Sequence, residues 1–183
     1  NRPTIGVIFQ DYALFPNLSI LENVKLALKG RKQEIEQQAL ASLKLLGLDG
    51  FSEKYPEALG IEDRFRVTLA RAIAPEPRLL VLSEPFNQLR GMYKHDLIVE
   101  TKRCLKQAGI AALVETSDKA VALSISDRLA VFHKGYLQQI DSPQNIYQRP
   151  SNSYVANFFG KRNELLATAT SDGFYTSFGF IDD

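Results

Sequence analysis

The stretch "RLLVLSEPF", Arg78 to Phe86, carries the group best placed in this sequence to do chemistry. Its apolar run stops at Ser83-Glu84-Pro85, so a carboxylate stands where a strand ends, able to take a proton or face a positive charge. Strands covered on both faces deliver polar residues to a crevice at their carboxyl ends. The plain alternative for Glu84 is an acid that caps the following turn. A second group, Tyr12, Leu14 and Phe15, is an aromatic and apolar cluster in a loop. Cys104, beside Leu105, reads as a small buried hydrophobe and not as a reactive thiol.

The elements around these groups follow from pattern. "TIGVIF", Thr4 to Phe9, is β-branched and aromatic and predicts a strand that ends in a polar turn. Ser19 and Glu22 stand in capping-box register ahead of a helix over roughly 19–29, with Gly30 as its stop. A second helix follows, with Ile35, Leu40, Leu43 and Leu46 near helical spacing and Gly47 as breaker. Residues 62–74 carry Phe65, Leu69 and Ile73 at four-residue steps, and Arg64, Arg66 and Arg71 between them read as a solvated face. Beyond Pro85 the pattern predicts a helix around 91–107, a strand at 110–115, a helix from about 118 to 125, and two strands joined at His133-Lys134-Gly135. Strands alternating with helices point to a layered α/β core, interrupted by a helical block.

Composition excludes several classes. With 22 basic and 21 acidic residues the formal net charge is +1, so no global field favours nucleic acid. The single cysteine allows no intramolecular disulfide and fits a reducing compartment. No apolar run approaches the roughly 20 residues that span a bilayer. The chain opens with Asn1 and enters a strand almost at once, as a piece of a longer protein would.

Three segments together resemble the ATP-binding-cassette (ABC) ATPases, in particular the nucleotide-binding subunits of importers for iron, polyamines, sulfate, molybdate or sugars. "IGVIFQDYALFPNLSILENV" is similar to the Q-loop region, "RVTLARAIAPEPRLLVLSEPF" to the helix after the signature motif with the Walker B strand, and "SISDRLAVFHKGYLQQIDSP" to the strand pair near the end. The resemblance covers Ile5 to about Leu166. It implies a P-loop NTPase-like α/β core, incomplete here, with an inserted helical subdomain. The expected divisions are 1–17 and 76–160 for the core, 18–75 for the helical subdomain, and 161–183 for the start of a β-rich extension.

The resemblance also implies roles. Gln10 matches the Q-loop glutamine, which reaches Mg²⁺ and the attacking water. Glu84 matches the catalytic glutamate that polarises that water against the γ-phosphate of ATP. Tyr12, Leu14 and Phe15 fall where a permease's coupling helix docks. Several family positions are altered. Ser83 stands for the Walker B aspartate and Ser117 for the switch histidine, and neither His95 nor His133 falls at the latter position. Arg90 stands for the D-loop aspartate, and Glu115 replaces an apolar strand residue. Leu59, Gly60, Ile61, Glu62 and Asp63 align with the LSGGQ signature, putting two acids where a phosphate would approach. No segment matches the phosphate loop G-x-x-x-x-G-K-[ST], which in the family lies upstream of the Q-loop. The expectation is therefore an importer ATPase subunit whose family binds ATP and Mg²⁺ but which alone binds ATP poorly or not at all and is weak or inactive, cytoplasmic and held at the inner face of the membrane by a permease, and paired with a second ATPase subunit. The alternative is a non-catalytic adaptor that docks on a permease or on an intact ATPase.

Overall fold

A computed structural model describes residues 5–160 and 165–182, which divide at Asp127 into two compact units. In the first, β1 (Ile5–Ile8), β2 (Leu79–Ser83) and β3 (Ala111–Glu115) form a parallel sheet in that order. β1 lies within the expected strand, whose Thr4 is outside the described residues. The register pairs Ile5 with Leu79 and Leu79 with Ala111, and so on to Ser83 with Glu115. Because side chains alternate along a strand, Ile8, Leu80 and Leu82 turn to one face, where they are buried. Gly6 is on that face too, and a Cβ there would meet Leu80 Cδ1 at 3.0 Å and the Ala72 carbonyl at 3.3 Å, so only glycine lets β1 approach its neighbours this closely.

The expectation that β2 is covered on both faces is corrected. Ile5, Val7, Leu113 and Glu115 share the opposite face and are exposed, and Leu79, Val81 and Ser83 between them are only half-buried. An apolar run therefore did not distinguish a strand buried on both sides from one whose second face is apolar and open.

Helices cover the buried face. α1 (Ile20–Lys25) starts at the predicted capping box: the Glu22 N–H donates to Ser19 Oγ and the Ser19 N–H donates to the Glu22 carboxylate. It ends at Lys25, short of the expected end near residue 29, and Ala27 and Leu28 continue as tight turns. α2 (Lys32–Leu45) packs Ala39 and Leu43 inward, and a 3-10 turn over Pro56–Ala58 leads to α3 (Ile61–Ile73). α3 buries Phe65, Val67, Leu69 and Ile73 against the core. α4 (Gly91–Ala108) ends in left-handed Gly109, which a helix C-terminus favours, and α5 (Lys119–Ile125) is capped by Asp118.

The second unit begins with the hairpin β4 (Leu129–His133) and β5 (Tyr136–Asp141). Lys134 and Gly135 both take positive φ, as a two-residue hairpin turn matching strand twist requires. α6 (Pro143–Gln148) and α7 (Ser153–Phe159) follow, capped by Ser142 and Asn152. The antiparallel meander β6 (Ala167–Ala169), β7 (Gly173–Thr176) and β8 (Gly179–Asp182) ends the described chain.

Candidate functional site

The carboxyl ends of β1, β2 and β3 bring Gln10, Ser83, Glu84 and Ser117 to one edge of the sheet. Glu84 follows β2 with φ 42°, a left-handed conformation that costs a non-glycine residue roughly 1–3 kcal/mol and persists only where its surroundings hold it. The surroundings here are explicit. Its N–H donates to the Glu115 carbonyl at 2.9 Å, extending the β2–β3 ladder by one bond. Its carboxylate accepts from the Thr116 hydroxyl at 2.9 Å and from the Ser117 N–H and hydroxyl, each at 2.7 Å. Burial pushes this carboxyl up, but the bonds from Ser117 and Thr116 outweigh it and hold the pKa below the ordinary glutamate value. Asp118, next along, caps α5 and pairs with Lys94 of α4 at 2.7 Å, which fixes the loop that carries Thr116 and Ser117.

Ser83 and Glu115, paired in register on the open face, are joined by a 2.7 Å hydrogen bond from the serine hydroxyl to Glu115 Oε2. Gln10 and Ser83 line one open groove with Phe9, Asp11, Ala13 and Gln88, and the Gln88 amide donates to the Gln10 carbonyl at 2.6 Å.

The loop after Gln10 is equally constrained. Tyr12 and Ala13 take φ 63° and 44°, and the Arg71 guanidinium of α3 donates to both of their carbonyls at 2.7 Å. The Tyr12 hydroxyl donates to the Pro85 carbonyl at 3.2 Å, and its ring meets Phe65 edge-on at 5.7 Å. Phe65 in turn packs on Phe86 at 5.1 Å. One helix thus positions both the loop after β1 and the turn after β2. Burial, with the charge of Glu62, pushes the Tyr12 phenol up to about 12, so the hydroxyl remains a donor at neutral pH.

Tyr12 is 3% exposed, so the expected partner role fails for that residue: it is an internal post. Leu14 packs partly against the core, and Phe15 is 52% exposed. Leu59 is likewise buried, so its side chain faces the core and not a nucleotide, whereas Gly60 is exposed as the N-cap of α3.

The three arginines expected on a solvated face are corrected as well. Arg64 donates to the Pro56, Leu59 and Glu57 carbonyls, Arg71 holds the Tyr12 loop, and Arg66 forks onto Glu100 of α4 while pairing with Asp63 at 2.9 Å. Sequence reading missed Asn23 altogether. Fully buried, it accepts from the Phe15 N–H and donates to the carbonyls of Phe15, Leu18 and Ser19, knitting the loop before α1. The signal was present as an amide interrupting the apolar face of "ILENV".

Comparisons with known proteins bear on the sequence and the fold. The family model described as ABC transporter matches residues 1–87. The spermidine/putrescine import ATP-binding protein PotA of Thermotoga maritima is 36% identical over 91% of this chain and 46% of its own length. The sulfate/thiosulfate import ATP-binding protein CysA of Mycobacterium tuberculosis is 38% identical over 90% and 48%, and the trehalose/maltose import ATP-binding protein MalK of Thermococcus litoralis 37% over 93% and 47%. The chain therefore spans about half the length of the curated relatives it matches. Among solved structures, CbiO1 of Clostridium perfringens, part of the ABC transporter complex CbiONQ, superposes with a TM-score of 0.74 over 81% of this chain and 61% of its own, at 24% identity, which speaks to fold alone. With 36–38% identity to import ATP-binding proteins along nine-tenths of its length, and the α/β fold of an ABC ATPase, the chain is similar to the nucleotide-binding domain of importer-type ABC transporter proteins.

Proposed function

We propose that this protein is the ATP-binding subunit of a solute importer and couples nucleotide hydrolysis to a permease. The observation that carries the reading is Glu84: a carboxylate in strained backbone at the end of β2, flanked by the Gln10 loop and the Ser117 loop. Glu84 would orient the attacking water and accept its proton. Ser117 and Thr116 aim the carboxylate, and Gly60 opens α3, whose N-terminal dipole favours a phosphate from a second subunit while Glu62 and Asp63 in the same turn oppose it. The groove is lined by oxygen donors, the Gln10 and Gln88 amides, the Asp11 carboxylate and the Ser83 hydroxyl, which fits Mg²⁺, a cation that prefers oxygen and keeps phosphate and water in its shell. Mg²⁺ in that place would neutralise charge developing on the phosphates. The phosphate-loop pattern is absent from the 183 residues, so the reading leaves the triphosphate's anchor to residues other than these. Exposed Phe15, with a groove in which Leu18, Leu26 and Ile35 stand beside Glu22, Lys25 and Lys32, offers a permease segment both apolar and charged contacts.

The adaptor reading is favoured by one observation: both carboxylate oxygens of Glu84 already accept hydrogen bonds. Titration of the protein with a fluorescent ATP analogue in Mg²⁺ separates the two. Saturable binding, displaced by unlabelled ATP, is expected for the ATPase subunit. Absence of binding would leave only the docking role.

A further inference from the structure

The reading above uses the Ser83 hydroxyl but leaves its partner Glu115 without a role. In the register of β2 and β3 these two residues are direct neighbours at the carboxyl edge, on the open face, with the Ser83 hydroxyl 2.7 Å from Glu115 Oε2. Every other described side chain on that face of the three strands is aliphatic: Ile5, Val7, Leu79, Val81, Ala111 and Leu113. A carboxylate at the end of such an apolar face, exposed and without a cationic partner among the described residues, is not explained by the packing of the sheet. Its second oxygen accepts no hydrogen bond among the described residues, in contrast to Glu84, both of whose oxygens are engaged.

A serine hydroxyl is a weak ligand for a hard divalent cation, which asks for one or two carboxylates beside phosphate and water oxygens. Glu115 places a carboxylate one hydrogen bond beyond Ser83 Oγ, and the groove that Ser83 lines also receives Gln10. The acid on the neighbouring strand is one methylene longer than an aspartate, which suits a donor reaching across from β3. Among the described residues no three carboxylate, imidazole or thiolate groups gather into a metal cluster, and a cation held mainly by nucleotide phosphates needs no such cluster. We infer that Glu115 supplies, from β3, the carboxylate ligand to the divalent cation of a bound nucleotide, with Ser83 orienting it from β2. This rests on the ATP-binding reading. It moves the acidic ligand from one strand to the next while keeping it at the same edge of the sheet.

The test uses Mn²⁺, which shares the preference for oxygen ligands and reports its own binding by electron paramagnetic resonance. The protein is titrated with Mn²⁺ in the presence of ATP, and binding of a fluorescent ATP analogue is followed in parallel. Expected is a bound Mn²⁺ signal in the wild type, at least tenfold weaker affinity in Glu115→Gln, and recovery in the double variant Ser83→Asp/Glu115→Val, which returns the carboxylate to β2. Circular dichroism melts of the three proteins separate lost ligation from lost folding, and the double variant recovers binding only if the carboxylate itself is what matters. Equal Mn²⁺ affinity in wild type and Glu115→Gln overturns the inference. So does a wild type that binds the analogue without binding Mn²⁺, although the ATP-binding reading then stands. If neither analogue nor Mn²⁺ binds, both fall together.

Discussion

Glu84 is held by two opposed demands: its left-handed backbone is unfavourable, and three hydrogen bonds to its carboxylate keep it there. Because those bonds favour the ionised form, the folded protein lowers this pKa, and the associated stability is present above the unfolded glutamate value of about 4.3 and lost as pH falls through the lower folded value. Ser117→Ala removes one of the three donors while leaving the backbone N–H. The Glu84 pKa, followed by carboxyl-carbon NMR, should then rise toward the unfolded value, and the loss of stability in acid should become shallower. An unchanged titration would show that the Ser117 hydroxyl contributes nothing. Glu84 was legible in the sequence because it directly follows a strand, and Gln10 only through the resemblance of its segment to the Q-loop. Asn23 and Arg71 were not, since their partners are backbone carbonyls, and a carbonyl's position is a property of the fold and not of residue type. Those of Arg71 lie more than fifty residues away in the chain.

At the scale of elements, α3 is the piece on which the site depends. Its first turn is tied to α4 through Asp63, Arg66 and Glu100, its middle presents Phe65 to both Tyr12 and Phe86, and its last turn grips the Tyr12–Ala13 loop through Arg71. A shift of this helix would therefore move the loops after β1 and β2 together. Arg71→Met keeps the aliphatic stem and removes two hydrogen bonds from a charged donor, and urea denaturation should show a loss of about 1.5–3 kcal/mol. Stability within a few tenths of the wild type would mean that the strained loop holds itself. The start of α1 was readable from Ser19 and Glu22 whereas its end was not, and the extent of α3 was readable from the spacing of Phe65, Leu69 and Ile73. The function of the arginines between them was not, because a charged residue that caps a carbonyl and one that faces water occupy the same helical positions in a sequence.

Across the whole molecule, a parallel sheet of three strands carries helices on one face and leaves aliphatic side chains open on the other. Sheets of this kind occur almost only with both faces covered, and the relatives matched here are about twice as long as this chain. The layered α/β class was legible from the alternation of strands and helices, whereas the open face was not, since exposure depends on what lies above a strand. Three of the positions that the resemblance marks as departures from the family pattern, Ser83, Glu115 and Ser117, sit at the same carboxyl edge as Glu84, so the proposed function depends on whether that edge performs chemistry. The most direct measurement is ATP hydrolysis by wild type and Glu84→Gln, alone and with candidate permease or ATPase partners. Turnover that falls at least a hundredfold in Glu84→Gln is predicted, within the range expected for loss of a general base. Turnover equal in the two proteins, or none from the wild type under any of these conditions, would contradict it.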